Sequence, residues 1–438
     1  MRARLIMGWL VVLTMVAAIG YAQQPPAVKL SLAEAIEIAR ANNPAYLQAL
    51  AARGPASWSL TNATVSLFSP TASLSGGYAY QAATGGQIFQ GFQIPATPSV
   101  TSQDLSLRLG YTLSGATITN RGYWAAQLRA ADQNIAGARM TLETSVKTEY
   151  LSLLEARAQE TLAAQQVQQT QELLNLAQAQ FNVGQKTMID VRQAQVTKGQ
   201  ADVGLLQAQQ NVQIEVLKLY QILGVPAPEP PNVEPTDTFP VVTPGYQQDS
   251  LVALALRNNP VLMAYRAQEH AAAWNVRSAY SQYLPSLMAS AGTGRQWISQ
   301  GTRSYSLSNP WVVSLGVSLP LWDTFSRNVQ IAQARSQRET QDQNVRAEEL
   351  AVRANVSAAY LALVTAYQTI GVQANNRAAA SEALQLAEEQ YRVGSGDIIQ
   401  LLTARVTSQQ ASVDYITAVY NYHKDMAALE QAVGQPLR

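Results

Sequence analysis

The chain has 438 residues, with 30 Lys and Arg against 29 Asp and Glu, two His and no Cys. A formal net charge of +1 leaves no basic surplus to neutralise phosphates, which removes the electrostatic case for nucleic acid. The lack of Cys excludes disulfides, thiolate metal sites, cysteine nucleophiles and a lipidated cysteine anchor, and His270 and His423 alone leave little for histidine chemistry, so neither an enzyme nor a cofactor is expected. The N-terminus reads Met1-Arg2-Ala3-Arg4, an apolar run from Leu5 to Ile19, then Gly20-Tyr21-Ala22, the pattern of a signal peptide over residues 1–22. The run is shorter than the ~20 residues a spanning helix needs, so export is expected.

The remainder is written twice. Ala41-Asn42-Asn43-Pro44 recurs as Arg257-Asn258-Asn259-Pro260, Tyr150-Leu151 as Tyr360-Leu361, and Gln180-Phe181-x-Val183-Gly184 as Gln390-Tyr391-x-Val393-Gly394, in constant order and about 210 residues apart. Leu223-Gly224 likewise matches Val433-Gly434. This predicts a first repeat over 23–226, a proline-rich linker over 227–247 and a second repeat over 248–438.

Each repeat opens on a short helix. Leu32, Ala35, Ile36 and Ala39 share a face, and Ser31 with Glu34 forms a capping-box pattern. Asn-Asn-Pro then bends the chain, because the residue before proline avoids the α region. Two strands are expected next. Leu105, Leu107, Leu109, Tyr111 and Leu113 alternate with polar residues, as do Val313, Leu315, Val317 and Leu319. Their expected partners are Trp58 to Tyr80 and Tyr283 to Trp297, with loops near 81–103 and 298–309. Proline-free stretches from Arg121 to Phe181 and from Ser326 to Tyr391 predict very long helices, each turned at Val-Gly into a second helix of about 35 residues.

Four strands cannot close a barrel, and bacterial barrels start at about eight. Pooled strands from two chains would give eight and from three twelve, with Trp58, Tyr78, Tyr80, Trp297, Trp311 and Trp322 at the membrane interfaces. The competing reading is a small periplasmic sheet with ordinary aromatic core residues. At the helix turns, Gly184 and Gly394 suit a left-handed helix end. Thr187 with Asp190, and Asp397 with Gln400, suit capping boxes that start the returning helices.

These features together resemble the TolC-type outer membrane efflux proteins. Leu30-Ser31-Leu32-x-x-Ala35-Ile36-x-x-Ala39 with Asn42-Asn43-Pro44 is similar to the family's opening motif, and Phe181-x-Val183-Gly184-x-x-Thr187-x-x-Asp190 to its hairpin turn. The resemblance implies a mainly α fold with a β-barrel portion: long antiparallel coiled-coil hairpins, four strands per chain, a trimeric twelve-stranded barrel in outer membrane lipid and an α-helical periplasmic tunnel. It implies a passive exit duct for small molecules or polypeptides, working with an inner-membrane pump and a periplasmic adaptor protein. On this resemblance the adaptor docks at Val183, Gly184, Thr187, Val393, Gly394 and Asp397. Asp190, Phe181 and Tyr391 match positions near the family's tunnel constriction. Gln400 and Thr403 stand where parts of the family carry acidic residues, a departure from the pattern. Capping alone and a gating ring both remain readings of Asp190. A periplasmic coiled-coil adaptor or scaffold is the alternative for the whole chain, although such a protein usually carries one hairpin rather than two.

Overall fold

A computed structural model describes residues 28–437, apart from 90, 91, 95, 230 and 232; the expected signal peptide lies outside them. The first repeat runs β1 (Val28–Leu30), α1 (Leu32–Asn42), α2 (Pro44–Ala51), α3 (Arg53–Val65), β2 (Thr71–Gln81), β3 (Gln87–Phe89), β4 (Phe92–Ile94), β5 (Val100–Leu113), α4 (Gly115–Asn182) and α5 (Met188–Leu223). After β6 (Val233–Pro235), the second runs α6 (Gln248–Asn258), α7 (Pro260–Ser281), β7 (Ser286–Gln300), β8 (Arg303–Ser318), α8 (Ser326–Arg392) and α9 (Ile398–Val433).

The capping box of α1 is formed: the Glu34 carboxylate accepts the Ser31 N–H at 3.0 Å, and Ser31 Oγ accepts the Glu34 N–H at 3.3 Å. The Asn-Asn-Pro bend does two jobs. Asn43 Oδ1 caps α2 through the Tyr46 N–H, and Asn43 Nδ2 donates to the Ile222 carbonyl at the end of α5, 2.8 Å away. In the second repeat Asn259 caps α7 and donates to the Ala432 carbonyl at the end of α9. The two repeated sequence signals, Asn-Asn-Pro and the terminal Gly, are therefore one contact made twice.

Three expectations are corrected. Residues 53–65 are helical, so Trp58 lies on α3 and the strand begins at Thr71 rather than Trp58. The Ser, Thr and Trp content reads as strand, but Ser57, Thr61 and Thr64 turn their hydroxyls back onto carbonyls three or four residues earlier, as helical Ser and Thr do. The 298–309 loop shrinks to a turn around Gly301 (φ 60°), with β7 reaching Gln300 and β8 starting at Arg303. The 81–103 loop holds the β3–β4 hairpin and ends where β5 starts, at Val100. Strand pairing is made by backbone amides, so polar strand ends leave no trace in hydropathy alternation. The long helices hold at 68 and 67 residues, each a rod of about 100 Å at ~1.5 Å per residue.

The strands form one antiparallel sheet in the order β2-β5-β7-β8, so the two repeats join at β5–β7. Register puts Leu74 beside Leu107, Leu109 beside Ala291, and Ala291 beside Val313, all on one face. The other face carries Ser75, Ser106, Ser290 and Ser314, whose hydroxyls pair across strands at 2.8 Å in both hairpins. Both outer strands are exposed along their whole length.

Below the sheet, each repeat has its own core where its opening helix meets its hairpin: Val146, Leu153, Val216 and Leu223 in the first, Val352, Val356, Leu363 and Leu429 in the second. A stretch of α8 reaches a mean hydropathy of 1.3, enough for a membrane helix by composition. About a fifth of that stretch, 22%, is buried, and Val352, Val356 and Leu363 of the same helix lie in that second core. Tyr150, fully buried, ties β1 and β6 to α4: its hydroxyl lies 2.9 Å from the Leu30 carbonyl and 2.8 Å from the Asp237 carboxylate, and accepts the Thr236 N–H. His423 packs between the rings of Phe239 and Tyr422, while His270 is exposed.

Next to Tyr150 on α4, Glu149 faces Glu215 and Lys218 of α5 and Lys424 of α9. Burial and the Glu215 carboxylate push Glu149 up to about 7 from its usual 4.5. The folded chain thus holds a proton there that the unfolded chain has released. The resulting stabilisation is complete below pH about 4.5 and is lost as pH rises through about 7. Glu149→Gln keeps a neutral side chain, so its melting temperature in detergent should fall less than wild type's between pH 5.5 and 8.5. Parallel pH slopes for the two proteins would refute the shared proton.

Candidate functional site

Four helices converge where the two hairpins turn. In the first turn the Gly184 N–H bonds the Phe181 carbonyl and the Gln185 N–H the Gln180 carbonyl, with Gly184 at φ 78°. In the second, Gly394 sits at φ 83°, with its N–H on the Tyr391 carbonyl and the Gly396 N–H on the Gln390 carbonyl. The left-handed step ends each helix without a steric penalty only because glycine has no Cβ.

Thr187 starts α5, and the Asp190 carboxylate accepts its N–H at 2.9 Å and its hydroxyl at 2.6 Å. Burial opposes the Asp190 charge, but those hydrogen bonds and nearby Lys186 outweigh it and hold the carboxyl below the usual range. The second cap is one-sided. Asp397 accepts the Ile399 N–H at 3.4 Å, while Gln400 points outward and, among the described residues, makes no return bond to the cap. Thr403, also exposed, bonds the Ile399 carbonyl of its own helix.

The hairpins are held to each other within the protomer. Lys186 Nζ donates to the Gly396 carbonyl at 2.8 Å and lies 4.6 Å from the centre of the Tyr391 ring. Gln180 Nε2 reaches the Arg392 carbonyl at 3.2 Å. Tyr391 is fully buried among Leu173, Val191 and Leu401, with Phe181 packed alongside. Burial, then the charges of Asp190 and Asp397, push its hydroxyl up to about 12. Arg405, nearly buried, pairs with Glu388 at 2.6 Å.

Around this core several apolar residues are partly or fully exposed. Val183 and Val393 crown the turns, at 69% and 78% exposure. Met188, Ile189, Val196, Ile399, Leu402 and Val406 line an open groove of about 720 Å³ between α5 and α9. The structure thus brings Phe181, Asp190 and Tyr391 into or against the tip core. It leaves Val183, Gly184, Thr187, Val393, Gly394, Asp397, Gln400 and Thr403 on the surface. Sequence reasoning missed Lys186 and Arg405; an arginine on the apolar stripe of α9 was the one available signal.

The sequence profile of the outer membrane efflux protein family matches residues 35–225 and 251–435, one segment per repeat. The chain is 23% identical over 335 residues to the outer membrane efflux protein BepC of Brucella suis, covering 74% of this chain and 72% of that one. It is 25% identical over 313 residues to the outer membrane protein TolC of Escherichia coli, covering 68% of this chain and 62% of TolC. Among solved structures, a membrane protein from Pseudomonas aeruginosa superposes with a TM-score of 0.76 at 18% identity, covering 93% of this chain and 91% of its own. The outer membrane protein VceC of Vibrio cholerae gives 0.74 at 18% identity, covering 93% and 97%. These structural likenesses establish the fold.

Proposed function

The chain belongs to the outer membrane efflux protein family, and from that membership we propose that it is the exit duct of a tripartite efflux or type I secretion system in the outer membrane. Three copies would pool their strands into a twelve-stranded barrel, continued into the periplasm by their helical hairpins. Cargo passes through on energy supplied by an inner-membrane pump, delivered through a periplasmic adaptor.

One observation carries this reading. In its helix-proximal half the sheet is apolar on one face, through Leu74, Leu107, Leu109, Leu315 and Val317, with Arg295 on that face only nearer the loop end; the other face carries serine, glycine and Arg108, and both edges are open. In hydrocarbon an open edge leaves several kcal/mol of unpaired amide per group, so only closure with further copies suits such a sheet. A soluble scaffold has no use for an apolar outer face of this kind.

The hairpin turns are the natural adaptor contact, since Val183, Gly184, Thr187, Val393, Gly394 and Asp397 are what the lower end presents. Around a threefold axis, residues there become rings of three, and Asp190, Phe181, Tyr391, Gln400 and Thr403 are the candidates to line or brace a constriction. Asp190 serves its capping bond in either case.

The test is fractionation followed by native mass spectrometry. Extraction from the outer membrane only by detergent, as a trimer, is expected; a soluble periplasmic pool, or a stable monomer, would defeat the proposal. In the same cells Gly184→Glu with Gly394→Glu should abolish export while extraction is unchanged. Normal export by that variant would remove docking at the turns.

A further inference from the structure

We infer that copies of this chain join through β8 of one protomer and β2 of the next, antiparallel, in a single register that places Ser318 opposite Ser75 of the partner subunit. The inference rests on the ring reading above and adds its seam.

The two hairpins of the sheet are the same object. Each first strand starts directly after a proline, Pro70 or Pro285. Thr71 Oγ1 donates to the Gly110 carbonyl at 3.0 Å, as Ser286 Oγ does to the Ser318 carbonyl at 3.4 Å. Ser75 meets Ser106 at 2.8 Å, as Ser290 meets Ser314. All these contacts obey one correspondence: Ser75 with Ser290, and Gly110 with Ser318.

The chain also contains one junction between hairpins, β5 with β7. There Gly110 stands opposite Ser290, Leu109 opposite Ala291, Leu107 opposite Thr293 and Tyr111 opposite Ala289. Moving that junction to the open edges by the same correspondence sets Ser318 opposite the partner's Ser75. It sets Val317 opposite the partner's Gly76, Leu315 opposite the partner's Tyr78, and Leu319 opposite the partner's Leu74.

The correspondence preserves the faces, and one feature not used in the construction agrees with it. The pairing keeps apolar face with apolar face: Leu315 and Val317 share the face of Ala289 and Leu287, while Tyr78 and Leu74 share that of Gln103 and Leu107. A slip of one residue would set Leu315, Val317 and Leu319 against the serine- and glycine-bearing face of the partner strand. Leu319 and Leu321, 49% and 85% exposed, lie beyond the end of β8 and pair with no strand among the described residues. Their counterparts Tyr111 and Leu113 pair with Ala289 and Leu287. The seam gives the stranded pair the same role.

The absence of native Cys makes the test clean. Opposed Cα atoms in an antiparallel pair lie about 4.5–5.5 Å apart, within disulfide range. Neighbours two positions along lie at about 7–8 Å, beyond it. Mild oxidation of the S75C/S318C double variant in membranes should give a covalent trimer on a non-reducing denaturing gel, collapsing on reduction to the monomer band. S73C/S318C and A79C/G316C, displaced by two in opposite directions, should give at least tenfold less, and each single variant none. A displaced pair that dominates overturns the register. No adduct from any pair, in samples that native mass spectrometry shows to be trimers, overturns the seam while leaving the ring. A monomeric sample overturns the ring itself.

Discussion

Replacing Gly224 or Gly434 with alanine is expected to cost the fold about 3 kcal/mol or more at each site, among the largest effects of any one-carbon change. Gly224 ends α5 at φ 75° and Gly434 ends α9 at φ 90°, where a side chain costs roughly 1–2 kcal/mol on its own. The larger part is contact. A Cβ at Gly224 would lie 2.5 Å from the Asn42 carbonyl oxygen, and one at Gly434 2.7 Å from the Asn259 Cα. Both obstacles are backbone, so neither can rotate away. The helix end would have to lift, parting Asn43 Nδ2 from the Ile222 carbonyl and Asn259 Nδ2 from the Ala432 carbonyl. Gly371, helical and with nothing within 4 Å of its would-be Cβ, is the control, since alanine there should be neutral or stabilise by up to ~1 kcal/mol. Thermal melting in detergent reads all three. Unchanged melting of G224A and G434A would show that the bend and the helix end are not in register with each other.

That contact also shows what a single sequence makes legible. Asn-Asn-Pro and the terminal Gly are visible as repeats, and local rules explain each: a bend, a cap, a left-handed end. That they touch is a fact of the folded chain, since Asn43 and Ile222 are 179 residues apart. The hairpin turns divide in the same way. Thr187 and Asp190 are three residues apart and their bond follows from helix geometry, so it could be anticipated. Lys186 reaches Gly396 across 210 residues, and nothing in the spacing announces it. Alternation revealed β5 and the lower half of β8, where one face is leucine and valine and the other serine and glycine. It is weak at Thr71–Tyr80, where glycine and alanine dilute the apolar face, so the sequence does not mark where α3 ends and the strand begins. Glu149 was silent for another reason: a carboxyl on a polar-looking helix shows its burial only when Glu215 and Lys424 arrive from other helices.

The same alternation yields the sharpest test of which side of the sheet meets lipid. Leu107 and Ser106 are adjacent on β5, a central strand, and point to opposite faces: Leu107 lies beside Leu74, and Ser106 beside Ser75. Arginine on the lipid face of a barrel costs about 2–4 kcal/mol near the bilayer midplane, for each copy in the ring. In the proposed trimer Leu107→Arg would carry roughly three times that cost, about 6–12 kcal/mol by the same scale, enough to stop assembly in the membrane. Ser106→Arg should insert normally, because its guanidinium shares a face with Arg108, the water-filled side of the proposed barrel. Its mark should be electrical: three added positive charges shift single-channel selectivity away from cations. Heat-modifiable migration and outer-membrane recovery read the first variant, and planar-bilayer conductance the second. If Leu107→Arg inserted as well as wild type while Ser106→Arg did not, the faces would be reversed and the lumen would be the leucine side. If both inserted equally, the sheet would not sit in lipid at all.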